Sequence, residues 1–236
     1  MGRLEKQLGF VCEIGKLKGV LRQTTLGPLA RRENSAEHSW HLAAMAMALA
    51  EHAPPEANIG LVVQMVLIHD LVEIDAGDLF LYADAEQQRR QEAAERIAAD
   101  RIFGLLPADQ ASRAHRLWDE FNERRTPEAR FARALDRLQP MLENIAAGGG
   151  TWREHGITAD QVLGKVALIE DGSAALGVFA RELIGGAVAA GILAPPSARE
   201  EDQLGGGGQA DRHDEAAQDG RREPLADAGA DQASGR

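Results

Sequence analysis

Between Leu4 and Gly191 the apolar residues recur at three- and four-residue steps, and runs that alternate β-branched with polar residues are nearly absent. That period gathers apolar side chains on one face of an α-helix, whereas a strand would scatter them over two faces. The chain is therefore read as all-α. Leu4, Leu8, Val11, Ile14, Leu17 and Leu21 mark a first amphipathic helix. Asn34, with Glu37 three residues on, forms a capping-box pair for a second helix, which runs to about His52 before Pro54 and Pro55 end it. A third carries Ile59, Val62, Val63, Val66 and Leu67 into the dipeptide His69-Asp70 and is broken at Gly77-Asp78. Helical spacing returns over 85–106, over 109–125 with Trp118 and Phe121 inward, and over 127–147 with Pro127 at the first helical position. Gly148, Gly149 and Gly150 mark a loop, and 158–191 is helical in one or two pieces.

Composition divides the chain at Pro195-Pro196. Of 236 residues 44% are hydrophobic, enough for one well-buried domain, assigned to 1–194. From 195 to 236 there is no Phe, Trp or Tyr, and ten acidic residues stand against five arginines. Such a tail buries too little apolar surface to offset its ordering entropy and is expected to be disordered. The net charge of -11 argues against holding a nucleic-acid polymer, which needs clustered Lys and Arg. A small phosphorylated molecule is a different matter, because a metal and a few arginines supply positive charge locally. Cys12 is the only cysteine, so a disulfide within the chain and a Cys-based metal site are both excluded. No apolar run has the length of a membrane span, no membrane partner is expected, and the expected location is the cytoplasm.

Any metal must then be held by His and carboxylates. Glu37-His38-Ser39 lies on the second helix and His69-Asp70 on the third, while Asp136 interrupts an apolar face in Arg133-Ala134-Leu135-Asp136-Arg137-Leu138-Gln139. Taken singly, each has an ordinary structural explanation: a buried histidine near a helix start, or a surface aspartate paired with Arg133 or Arg137. Adjacent helical residues diverge by about 100°, so His69 and Asp70 converge on one point only where that point lies in a crevice between helices. Imidazole nitrogen with carboxylate oxygen suits Mn, Fe, Co, Ni or Zn, and suits Mg less.

The ordered set His38, His69-Asp70 and Asp136 resembles the H…HD…D signature of the HD-domain phosphohydrolases. Arg32 to Ser39, His69 to Ile74 with Gly77-Asp78, and Leu135-Asp136-Arg137 resemble the subgroup containing the bacterial 5′-deoxynucleotidases, over roughly 8–193. The resemblance implies a helical bundle with its metal site in a central crevice. It implies one divalent metal on His38, His69, Asp70 and Asp136, since His115 and His155 lack the context for a second. It further implies proton handling by Glu73, orientation of substrate or water by Asp78, phosphate contact by Arg22, and a homodimer. Gln23-Thr24-Thr25 follows Arg22 where the subgroup has an aromatic residue and proline. The implied activity is metal-dependent release of phosphate from (deoxy)nucleoside 5′-monophosphates. The alternatives are another phosphorylated substrate, such as a nucleoside triphosphate, a cyclic dinucleotide or a non-nucleotide, or a non-catalytic metal- or ligand-binding module. One physical argument favours the monoester: a metal and Arg22 balance its charge, whereas a triphosphate asks for a wider basic cradle, to which Arg31 and Arg32 are the nearest candidates.

Overall fold

The computed structural model describes residues 2–197; the acidic segment expected to be disordered lies, apart from 195–197, outside the described residues. Helix α1 (Arg3–Ile14) continues into a tight turn at Gly15–Gly19 and stops there, short of the expected Leu21. Leu21 instead opens strand β1 (Leu21–Leu26), which pairs antiparallel with β2 (Arg31–Asn34). The all-α class stands, with this two-strand hairpin a small addition to an otherwise helical fold. Its cause is local: Thr24 and Thr25 favour extended backbone, and the connection through Gly27-Pro28-Leu29 ends with Ala30 at φ 49°.

Helix α2 (Ser35–Ala48) starts as expected. Asn34 Oδ1 accepts from the Glu37 N–H at 3.0 Å, and Glu37 Oε2 accepts from the Asn34 N–H at 3.2 Å. Helix α3 (Ile59–Ile68) does not run through the His-Asp pair: His69–Val72 form a 3₁₀ turn, followed by the single-turn helix α4 (Glu73–Ala76). Then come α5 (Ala85–Phe103), α6 (Ala108–Glu123), α7 (Pro127–Ala146), α8 (Gly150–Glu154), α9 (Ala159–Gly172) and α10 (Ala174–Ala189). The last two are separated at Ser173, whose hydroxyl donates to His52 O at 2.7 Å and accepts from the Leu176 N–H at 3.3 Å.

The centre of the core is α7. Its Ala129, Phe131, Ala132, Ala134, Leu135 and Leu138 are buried, together with Leu42 and Met45 of α2, Val62, Met65 and Val66 of α3, and Val162, Val166 and Ile169 of α9. Each large side chain removed from water contributes roughly 1.5–3 kcal/mol. A smaller cluster of Leu17, Leu71, Val72, Ile102, Phe103 and Trp118 supports the turn that carries His69 and Asp70. No helix among the described residues is long and apolar enough to cross a membrane.

Backbones approach closely where α9 ends on α7: a Cβ on Gly172 would lie 2.2 Å from Arg130 O. The obstacle is backbone, which cannot rotate away. Gly172→Ala is expected to destabilise the fold by about 1–3 kcal/mol, read as a lower denaturant midpoint at unchanged slope. A neutral substitution would show that the two helices separate without cost.

Candidate metal centre and its cleft

Four elements bring the polar side chains together. The first turn of α2 supplies His38, the 3₁₀ turn supplies His69 and Asp70, α4 supplies Glu73, and the middle of α7 supplies Asp136 and Gln139; all six are buried. The tighter winding of the 3₁₀ turn sets His69 and Asp70 against the same neighbours. His69 Nε2 lies 2.9 Å from Asp70 Oδ1 and 3.7 Å from Asp136 Oδ1, and His38 Nε2 lies 3.2 Å from the same Asp136 oxygen. Asp70 Oδ2 is 4.0 Å from His38 Nε2. One ligand atom each from His38, His69 and Asp136 falls within 4.8 Å of the others. Asp70, the fourth residue expected from the sequence, lies beside both imidazoles but outside that three-residue group.

Hydrogen bonding on the far side of each ring settles which nitrogen faces the centre. His69 Nδ1 donates to the Val66 carbonyl at 2.9 Å, so Nε2 faces inward, where it is buried without a hydrogen-bond partner. His38 Nδ1 lies 3.0 Å from Gln139 Oε1, and the Gln139 amide donates to Glu33 Oε1 at 2.8 Å, which leaves that oxygen free to accept from the ring. Two imidazole Nε2 atoms and carboxylate oxygens therefore face one another. Such groups sit together stably only around a cation or a proton held between them, and this donor set fits a divalent transition metal. The supporting bonds from Val66 and Gln139 are the kind that orient metal-binding histidines.

Charges agree with that arrangement. Burial alone would strip the proton from His69, but Asp70 and Asp136 outweigh it and lift its pKa to about 10. Burial would raise Asp136, yet Arg137, His38, His69 and Arg133 hold it well below the usual carboxylate range. Asp70 is likewise held low against burial, by His69 and then Arg22. Glu73 behaves oppositely: burial and the Asp70 charge push it well above the ordinary value, and the Ser35 hydroxyl donates to its Oε2 at 2.6 Å. Burial also raises Asp78. Gly77 takes φ 74°, and the Asp78 that follows accepts from the Gln23 N–H at 3.2 Å.

Arg22 reaches the cluster but is heavily engaged. Its Nη1 lies 3.0 Å from Asp70 Oδ2 and 3.4 Å from Asp78 Oδ1, and its Nε lies 3.4 Å from Glu33 Oε2. Arg31 and Arg32 do not widen a basic cradle as the sequence suggested. Arg31 grips Glu37, Arg32 pairs with Glu154 at 2.8 Å, and neither lines the cavity of about 420 Å³ that opens onto the site. Besides Arg22, the cavity takes its positive charge from Arg124, Arg133, Arg137 and Lys165, and its aromatic surface from Phe80, Tyr82, Trp118, Phe121 and Trp152. Sequence reasoning missed this cradle. Its one available signal was the spacing of Arg133 and Arg137 three residues before and one after Asp136, which reads equally as surface ion pairing. His115 and His155 stand apart from the cluster, His115 near Asp100 and His155 against the Phe80 ring.

With this geometry established, comparison with known proteins decides the family: the HD domain family model matches residues 14–176. The chain belongs to the HD-domain family. A protein of known structure, a predicted metal-dependent phosphohydrolase from Magnetospirillum magnetotacticum MS-1, is 54% identical, with a TM-score of 0.78 over 82% of this chain and 96% of that one. An HD-domain phosphohydrolase from Listeria innocua shares the fold at 19% identity and a TM-score of 0.59, over 78% of this chain and 90% of that one. Among curated proteins, 5′-deoxynucleotidase HDDC2 of Homo sapiens is 29% identical over 137 residues, 58% of this chain and 65% of that protein. Its Xenopus laevis counterpart is 27% identical, over 58% of this chain and 67% of that protein. The chain thus spans about two thirds of the length of these curated relatives.

Because Asp70 and Asp136 favour a proton on His69, that proton competes with any metal bound through this ring, and metal uptake by this HD domain is expected to expel it. Raising the pH toward 10 removes the competitor, so affinity for Mn should tighten, by up to about tenfold per pH unit, in titrations between about pH 6 and 9. Affinity that stays flat or weakens over that range would show that His69 does not bind through Nε2.

Proposed function

We propose that this chain is a metal-dependent phosphohydrolase that releases phosphate from nucleoside 5′-monophosphates, the deoxy forms preferred. The observation that carries the reading is the convergence of His38, His69 and Asp136 at a cleft that also holds the protonatable Glu73. The names of the Magnetospirillum and HDDC2 relatives support the reaction and the nucleotide class respectively. In this reading His38, His69, Asp70 and Asp136 hold one divalent metal, with Mn, Fe, Co, Ni or Zn better suited than Mg. Bound there, the metal supplies Lewis acidity and makes water a better nucleophile at neutral pH.

The chain's own residues supply the rest. A phosphate monoester resists attack because its anionic oxygens repel nucleophiles, so its charge must be balanced and the attacking water aligned. Glu73, kept protonated by burial and steadied by Ser35, hands its proton to the leaving alkoxide. Asp78, fixed by the Gln23 N–H, orients water or a sugar hydroxyl. Arg22 contacts the phosphate from the side of Asp70 and Asp78. Phe80, Tyr82 and Trp152 offer the apolar surface for the nucleoside that the stretch after Arg22 lacks. The proposal includes a homodimer, for which the exposed Trp40 and Met47, seven residues apart on α2, provide apolar surface. It also includes a cytoplasmic location, in keeping with a single exposed thiol at Cys12. A second reading, a nucleoside triphosphate substrate, is favoured by one observation, the five basic residues of the cavity, Arg22, Arg124, Arg133, Arg137 and Lys165.

A phosphate-release screen over nucleoside mono-, di- and triphosphates, with Mn, Co, Ni and Mg supplied in turn, tests the choice. Deoxynucleoside monophosphates are expected to give the highest kcat/KM. Tripolyphosphate released from deoxynucleoside triphosphates at a higher kcat/KM would promote the second reading. His69→Ala and Asp136→Ala, on different elements, should each lose both bound metal and activity, and Asp136→Ala with stoichiometric metal would refute the ligand set.

A further inference from the structure

The cleft is electrically divided. Around Arg22 lie Glu33, Asp70 and Asp78, so that one guanidinium faces three carboxylates. On the α7 side basic groups outnumber acidic ones, even with Glu92 and Glu95 also lining the cavity and the Glu95 charge acting on Arg133. Arg133 Nη1 lies 3.0 Å and Arg137 Nη2 3.7 Å from the same Oδ2 of Asp136, and Lys165 of α9 and Arg124 line the cavity as well. Two guanidiniums thus share one oxygen of a carboxylate whose other oxygen faces the two imidazoles.

Holding like charges together in a partly buried place is costly unless something anionic balances them. The structure prepares these side chains rather than letting them swing into water. The Arg133 guanidinium is stacked 4.1 Å from the Phe121 ring centroid, and Lys165 Nζ lies 5.7 Å from that of Tyr82. Their exposure is small, 15% for the Arg133 side chain and 21% for that of Arg137, and the buried Nε–H of each has no hydrogen-bond partner.

We propose that Arg133, Arg137 and Lys165 form the anion subsite of the cleft, and that this subsite, rather than Arg22, supplies most of the affinity for the substrate's phosphoryl group and for the phosphate product. The ligand class is a tetrahedral oxyanion carrying two or more charges. It is bound edge-on by the two guanidiniums beside Asp136, with the Lys165 ammonium contributing from α9. Arg22 then acts mainly to hold Asp70 and Asp78 in place. The inference rests on the phosphohydrolase reading for its substrate, but the subsite itself is defined by charge and geometry.

Inorganic phosphate is the direct probe, titrated calorimetrically into the full chain, both loaded with Mn and after chelation. Arg137→Gln is expected to weaken phosphate binding by at least about tenfold in both states, and Arg137→Lys to recover part of it, the loss appearing in KM more than in kcat. Arg22→Gln should weaken phosphate binding less than Arg137→Gln does. Arg137 also touches the carboxylate of a metal ligand, so Lys165→Gln serves as the second variant: Lys165 lies on α9, and its replacement should keep full metal content and still weaken phosphate binding. Unchanged phosphate affinity in both Arg137→Gln and Lys165→Gln would overturn the subsite, as would a larger loss in Arg22→Gln. If no nucleotide is hydrolysed while phosphate binding still falls in these variants, the subsite stands and the hydrolase reading fails. Nucleotide hydrolysis whose KM is unchanged in both variants leaves the hydrolase reading standing and removes the subsite.

Discussion

The Asp136 carboxylate, buried midway along α7 at the centre of the core, is the interaction on which the rest of the site depends. A carboxylate taken out of water on the helix whose Phe131, Leu135 and Leu138 are also buried is costly unless every lone pair finds a positive partner. Its two oxygens divide that task. One faces His38 and His69, the other Arg133 and Arg137. The first pair places it in a metal centre and the second at the edge of an anion-binding surface, so a single buried charge joins the two halves of the cleft.

Around it the fold works by restricting alternatives. Glu33 holds the Gln139 amide, the Gln139 oxygen faces His38 Nδ1, and the Val66 carbonyl takes the His69 proton donor, so both rings are turned the same way before anything binds. That chain joins β2, α2, α3 and α7. Glu73 differs from its neighbours because Arg22 offsets only part of what its burial costs. Burial and the Asp70 charge therefore favour the neutral form of Glu73, whereas His69 and the arginines favour the ionised forms of Asp70 and Asp136. Carboxyls with opposite proton occupancy in one cleft are what hydrolysis at neutral pH requires.

The helices were legible because their faces are apolar at a regular period, and Asn34 with Glu37 marks the start of α2 to the residue. His38, His69 and Asp136 were legible as a set, since polar ligands on otherwise apolar faces have few destinations; the structure brings those three together, with Asp70 beside them. The hairpin was not, because a six-residue strand at the end of a helical pattern leaves only a fragment of alternation, and Leu21 continues the helical spacing by coincidence. Nor was the basic cradle. Arg31 and Arg32 were the arginines nearest in sequence, but the register of β2 sends Arg31 to Glu37 and Arg32 to Glu154. Arg133, Arg137 and Lys165 come together only once α7 and α9 pack, a long-range fact without a local signature. Glu33 is, in the sequence, one more acidic residue ahead of a helix cap; its role in fixing Gln139 becomes visible only in three dimensions.

Diffraction from Mn-loaded crystals, recorded at an energy where Mn scatters anomalously, addresses the metal centre without relying on turnover. A single anomalous peak is predicted among His38 Nε2, His69 Nε2, Asp136 Oδ1 and the Asp70 carboxylate, at about 2.0–2.3 Å from each. A peak elsewhere in the cleft, a second peak of equal height, or none at full Mn loading would contradict a single metal held by these four residues.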